Sequence, residues 1–235
     1  MFISFEGVDG CGKSTQARLL VEALRATGRI VRLTREPGGS PGAEAIRRLL
    51  VEGNADRWSA ETECLLFTAA RRDHVERLIR PALAAGETVV TDRFVDSTRV
   101  YQGAARADLR AMVDALHGLA IGLEPDRTFV LDLDPEEALA RAETRAARAA
   151  AAAATTATAA LASAAAAAAG ASGMIEVAGI VALTGEDRFE RFGLAFQQRL
   201  RAGFLALAAS EPDRIRVIDA AGPPEAVAAR IRAAL

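Results

Sequence analysis

The run GVDGCGKS, Gly7 to Ser14, fixes more of this chain's fold than any other stretch. Gly7, Gly12, Lys13 and Ser14 fit the pattern G-x-x-x-x-G-K-[ST]. Such a loop leaves a buried strand, wraps a polyphosphate in backbone N–H groups and opens a helix. Both flanks are legible. Phe2–Phe5 reads as a short buried strand, and Lys13–Thr27 carries Ala17, Leu20, Val21 and Leu24 at helical spacing, with Gly28 as a stop. The loop residues Gly7, Val8, Asp9, Gly10, Cys11, Gly12, Lys13, Ser14 and Thr15 are the expected seat of ATP or a similar triphosphate. Lys13 is expected between the β- and γ-phosphates, and Ser14 on Mg²⁺. Lys13 is also the only lysine, against 28 arginines. A compact ammonium suits bridging phosphates where a wide guanidinium fork does not. One residue is out of character in this anion cradle: Asp9 puts a carboxylate inside it, with Glu6 just before.

The rest of the chain alternates strand-like and helix-like segments. Further strands are expected at Ile30–Leu33, Thr88–Thr91, Thr128–Leu133 and Arg216–Ile218, and helices at Pro41–Val51, Ala60–Ala85 (interrupted or kinked at Pro81), Asp108–Leu119, Glu186–Ala208 and Pro224–Ala234. The Glu186–Ala208 stripe is Phe189, Phe192, Phe196, Leu200, Phe204 and Leu207. Strands separated by helices imply an α/β fold with a five-stranded parallel sheet covered on both faces, in which ligands bind beyond the carboxyl ends of the strands. The polar motifs sit there: Gly7–Ser14 after the first strand, Arg35-Glu36 after the second and Asp92-Arg93 after the third. With 235 residues, 51 % of them hydrophobic, the chain suits a single domain spanning 1–235. A net charge of −2 gives no global positive field for nucleic acid. Two cysteines without metal-ligand spacing, and no signal-like start, lead to the expectation of a reducing, cytoplasmic setting. Cys11 reads as a small residue that fits the loop, although a helix N-terminus can also lower a thiol pKa.

One segment breaks the pattern. Ala149–Ala169 is nearly all alanine, and no charge occurs between Arg148 and Glu176. It is long enough to span a bilayer, but alanine is nearly neutral for insertion, so no membrane span is expected. High helix propensity makes it a partly exposed helix. Met174–Leu183 is more apolar and able to dock.

Beyond the loop, the runs TREPGGSPGAEAIRRLL (from Thr34), FTAAR (from Phe67) and DRFVDSTRVYQG (from Asp92) add arginines, an aromatic face and a hydroxyl-rich turn. Those are the groups a nucleoside monophosphate requires. The four motifs, in this order, resemble thymidylate kinases, P-loop enzymes of the nucleoside monophosphate kinase fold that phosphorylate dTMP to dTDP. The resemblance covers 1–145 and about 185–235, including IDAAGPPEA from Ile218. It implies ATP and dTMP as substrates, Mg²⁺, and a homodimer through Ala60–Ala85 and Asp108–Leu119. By resemblance, Asp9 contacts the dTMP 3′-hydroxyl and helps seat its phosphate. Glu36 lies near the metal and acceptor phosphate, Arg47 and Arg93 bind that phosphate, and Asp92 supports Mg²⁺. Phe67 stacks on thymine and Arg71 reaches its O4. Ser97, Thr98, Tyr101 and Gln102 surround base and sugar. Arg145, with Arg141 and Arg148, supplies lid arginines to ATP, and Ala220–Pro223 borders adenine. Lys13, Asp9, Arg93 and Arg145 form the implied catalytic set.

Each position has a plainer alternative. Phe67 and Tyr101 could fill the core, Arg71 could be solvated like Arg72, Arg77 and Arg80, Asp92-Arg93 could be a structural pair, and Glu36 could cap a turn. His74 and His117 read as surface helix residues, and Asp132 and Asp134 as a strand end and a helix cap. The lid region, 141–188, departs from the family pattern. RAETRAAR (Arg141–Arg148) is parted from EDRFE (Glu186–Glu190) by an alanine-rich insertion at about 146–184, and Glu143 stands where a lid arginine is expected. Two other functions stay open: a deoxynucleoside kinase with Glu36 as base, and a catalytically impaired ATP-binding module with the alanine-rich segment as a docking element.

Overall fold

The computed structural model describes residues 1–52, 57–106, 108–168 and 193–235. Five strands, β1 (Phe2–Glu6), β2 (Val31–Arg35), β3 (Thr88–Asp92), β4 (Arg127–Asp132) and β5 (Ile215–Asp219), pair in parallel in the order β2-β3-β1-β4-β5. The helices are α1 (Lys13–Ala26), α2 (Pro41–Val51), α3 (Ala60–His74), α4 (Arg80–Ala84), α5 (Val95–Val100), α6 (Arg110–Ala120), α7 (Pro135–Ala168), α8 (Leu194–Ser210) and α9 (Pro224–Ala233). The expected α/β architecture is present. The chain runs from β1 to β2 on one side of the sheet and from β3 across β1 to β4 on the other. That reversal opens the crevice where open α/β sheets bind ligands.

Side chains alternate between the two faces of a strand. Ile3, Phe5 and Val90 enter one core, with Leu20, Phe129, Leu200 and Phe204. Phe2 and Val89 enter the other, with Ile79, Phe94 and Val113. Phe5 packs on Phe129 at 5.5 Å between centroids, and Phe2 meets Phe94 edge-on at 4.9 Å. By the same alternation Glu6 falls on the Phe2 face, toward α5.

The expected long helix around Pro81 is one helical run with a wider turn inside it. Between α3 and α4, Val75–Ile79 is π-helical, and the Arg80 N–H bonds the carbonyl of Val75, five residues back. Proline lacks an N–H and crowds the preceding turn, and the wider turn accommodates it. A second π segment, Tyr101–Arg106, continues α5. The α8 stripe buries Phe196, Leu200, Phe204 and Leu207, while Phe189, Phe192, Met174–Leu183 and Glu186–Glu190 lie outside the described residues. Asp134 accepts from the N–H groups of Glu136 and Glu137 and caps α7, and Asp132 ends β4 paired with Arg201 at 2.6 Å. From α7, Ala138 and Ala142 are buried, whereas Glu143 and Arg145 are exposed. No described helix is long and apolar enough to cross a membrane.

His117 corrects a sequence expectation. It is buried on α6, edge-on to Phe94 at 6.1 Å and 3.2 Å from the Glu124 carboxylate. Its partners come from other segments, so the helix's own pattern does not reveal them.

Candidate active site

A cavity of about 660 Å³ opens at the carboxyl ends of the strands, a size suited to small-molecule ligands. Its floor is the loop from Asp9 to Thr15. Gly10 adopts φ 84°, and a side chain there would run into the carbonyl of Ala138, so the base of α7 packs directly on the loop. Lys13 opens α1, is largely buried, and donates to the carbonyls of Gly7 (3.2 Å) and Val8 (2.8 Å). Gly7 and Val8 thus support the lysine from below rather than line the cavity. The Ser14 hydroxyl donates to Asp92 Oδ2. Cys11 is buried against the lysine; burial pushes its thiol up despite the Lys13 and Arg93 charges, against the alternative of a reactive thiolate.

Asp9 is claimed by the other side of the cavity. Arg93 Nη2 donates to Asp9 Oδ1, and the Tyr101 hydroxyl donates to Asp9 Oδ2 at 3.0 Å. Lys13 Nζ is farther, at 3.9 Å. Burial alone would raise the Asp9 carboxyl; the Arg93 and Lys13 charges and the Tyr101 hydroxyl outweigh it and hold it below the usual range. Arg93 also donates through Nη1 to Ser97 Oγ (2.8 Å) and to the Gly7 carbonyl (3.2 Å), and its guanidinium lies 5.1 Å from the Tyr101 ring. Beneath this cluster Glu6 is fully buried. It accepts from the Phe94 amide (2.7 Å) and the Ser97 hydroxyl (2.5 Å). Burial, with Asp96 adding to it, pushes the Glu6 carboxyl up to about 7.

A second buried cluster faces the far end of the cavity. Arg71 donates from Nε to Glu36 Oε2 (2.7 Å) and from Nη2 to Thr98 Oγ1 (2.9 Å). The other Glu36 oxygen lies 3.0 Å from His74 Nδ1, whose Nε2 is 2.7 Å from Thr34 Oγ1. His74, expected on the surface, is therefore fully buried, and Gly39, at φ 86°, leaves no room for a side chain against its ring. Phe67 is half-buried at the cavity wall. Arg47 donates to the Pro37 carbonyl at 2.6 Å. Gln102, almost fully buried, donates to Glu63 Oε2 at 3.0 Å. Arg141 and Arg145 reach the cavity from α7, and Ala220, Gly222, Pro224 and Val227 complete the wall beside α1; Arg148 and Pro223 do not line it.

A family model described as thymidylate kinase matches residues 5–167. The chain belongs to the thymidylate kinase family. It is 59% identical over 233 residues to thymidylate kinase of Dinoroseobacter shibae, covering 99% of this chain and 95% of that one. It is 48% identical to thymidylate kinase of Caulobacter vibrioides, covering 98% and 93%. The solved structure of thymidylate kinase from Ehrlichia chaffeensis aligns with a TM-score of 0.67 at 30% identity, covering 100% of this chain and 97% of that one. Membership makes the chain an ATP-dependent nucleoside monophosphate kinase.

For a kinase of this family the oxygen donors Ser14 and Asp92 suit Mg²⁺, which is usually held by one or two side-chain oxygens together with substrate phosphates. Among the described residues no cluster of three or more His, Cys, Asp or Glu side chains could hold a metal alone. Sequence reasoning gave no role to Glu6, Glu63 or His74, each a partner of a cavity residue. For Glu6 a signal existed: a carboxylate closing the otherwise buried strand FISFE demands partners.

Proposed function

We propose that this chain transfers the ATP γ-phosphoryl group to dTMP, giving dTDP and ADP, through the residues of this one cavity. The observation that carries the reading is the Asp9–Arg93–Tyr101 contact. It joins the donor loop to groups suited to an acceptor monophosphate. Lys13 and the loop N–H groups hold the donor phosphates, with Arg141 and Arg145 closing from α7 as part of a lid region. Arg93 and Arg47 hold the acceptor phosphate. Phe67 stacks on thymine, Arg71 and Gln102 meet its edge, and Asp9 takes the sugar 3′-hydroxyl. Ser14 and Asp92 would hold Mg²⁺, which neutralises charge on the transferring phosphates.

The acceptor phosphate is itself an anionic nucleophile, with a second pKa of about 6, so no general base is required. Catalysis rests on positioning and charge neutralisation of an in-line transfer. The alternative of a nucleoside kinase needs a carboxylate free to take a hydroxyl proton. Both Glu36 oxygens are engaged, by Arg71 and His74, which disfavours it. The reading extends to a cytoplasmic homodimer. Support comes from two free cysteines and from exposed Leu65 on α3 and Leu119 on α6, the helices expected to pair.

The test is ADP release from Mg·ATP with dTMP, dUMP, dCMP, thymidine or no acceptor. Fast release with dTMP, and little with thymidine or dCMP, is expected. Preference for thymidine, or release independent of acceptor, would overturn the reading.

A further inference from the structure

Arg93 is the only described non-glycine residue with a positive φ, 70°. An L-residue is strained there and persists only where its surroundings over-determine it. Three contacts pin this turn. The Arg93 N–H bonds the Phe5 carbonyl (2.9 Å), the Arg93 carbonyl accepts from Thr91 Oγ1 (2.9 Å), and the Phe94 N–H bonds Glu6 Oε1 (2.7 Å). The second Glu6 oxygen accepts a hydrogen bond from the Ser97 hydroxyl. A hydroxyl has one proton to give, so Ser97 is left as an acceptor, and Arg93 Nη1 donates to it. Glu6 itself is fully buried and does not line the cavity.

We infer that Glu6 is a positioning residue for Arg93: from behind the site it fixes both the strained backbone and, through Ser97, the aim of the guanidinium. Nη1 is thereby tied to Ser97, and Nη2 is turned toward Asp9, Tyr101 and the cavity. The inference rests on the proposed role of Arg93 in binding the acceptor phosphate.

The isosteric variant Glu6→Gln isolates the effect. Its single amide oxygen is taken by the Phe94 N–H. Its NH₂ then faces Ser97, whose hydroxyl must accept there instead of donating, so its proton loses its fixed acceptor and is free to rotate toward Arg93, which has only donors. Size and packing are kept while the polarity of the relay is reversed. Assayed at about pH 8, above the Glu6 value of about 7, kcat/KM for dTMP should fall by about 10- to 100-fold, as for a misaimed positioning group. The KM for ATP and the melting temperature should stay near those of the unaltered enzyme. Glu6→Gln combined with Ser97→Ala should be no worse than the more damaging single change, because both act through one relay.

Unchanged dTMP kinetics in Glu6→Gln, equal losses for ATP and dTMP, or additive effects with Ser97→Ala would overturn the inference. A readout free of any substrate separates it from the functional reading. The Arg93 guanidinium ¹⁵N–¹H signals, assigned with Arg93→Lys, should be sharp in the unaltered protein and broadened in Glu6→Gln. Failure of dTMP turnover by the unaltered enzyme would instead overturn the proposed function, and these signals would still decide the role of Glu6. Equally sharp signals in both proteins would refute it.

Discussion

Lys13→Ala should lower kcat by about 10²- to 10³-fold, the usual cost of removing one preorganised charge from a transition state. The ammonium is largely buried and held by the Gly7 and Val8 carbonyls, which fix its position within the loop. Preorganisation of this kind makes a charge worth more than it is in water. Lys13→Arg should not rescue the loss, because the planar fork cannot occupy the pocket of a point charge. The effect should fall on kcat and on ATP, with the dTMP KM changing little. Steady-state kinetics with each substrate varied in turn checks this. A variant retaining a tenth or more of the normal kcat would remove Lys13 from the transition state.

Asp9→Ala should divide the two substrates in the opposite sense. The Asp9 carboxylate is bonded to Arg93 and Tyr101, and its loss leaves the Arg93 cation, only 17% exposed, without its directly bonded counter-charge. Truncating one member of such a pair typically costs about 2–5 kcal/mol. A loss of about 3 kcal/mol is roughly 150-fold in kcat/KM for dTMP. ATP binding should be unchanged or slightly tighter, because removing the carboxylate 3.9 Å from Lys13 also removes a repulsion toward the incoming phosphates. Asp9→Asn should recover part of the dTMP loss, since its amide oxygen can still accept from Arg93. Titration calorimetry with each nucleotide separates the arms. Equal weakening for ATP and dTMP would mean that Asp9 serves the loop's shape rather than the acceptor.

This division, if found, would explain why a phosphate-binding loop carries a carboxylate. Asp9 sits in the loop by sequence but is held by Arg93 and Tyr101, on the side proposed for the acceptor. The loop, the five strands, the convergence of motifs at the strand ends and the helicity of the alanine-rich segment to Ala168 were all legible, because each rests on local pattern and propensity. What stayed hidden depends on partners distant in sequence. Asp96 reads as one more polar residue within DRFVDSTRVYQG, yet it is fully buried and paired with Arg99 and with Arg214, 118 residues away. His74 has the look of a surface residue on α3, but Glu36 from beyond β2 makes it a buried support for Arg71. Glu6 was visible as a charge beside the loop, while its bonds to Phe94 and Ser97 required β1 and β3 to lie side by side. The π turn before Pro81 follows from proline's missing N–H, but its position within the helix is set by packing.

In the proposed reaction the donor loop and the Arg93 cluster meet one another across a single transfer. Its most direct measurement is to incubate the enzyme with Mg·ATP labelled at the γ-phosphate and with dTMP, then to follow where the label goes. Labelled dTDP is expected, appearing in step with ADP and only when dTMP is present. Label recovered as inorganic phosphate, with dTMP left unphosphorylated, would contradict it.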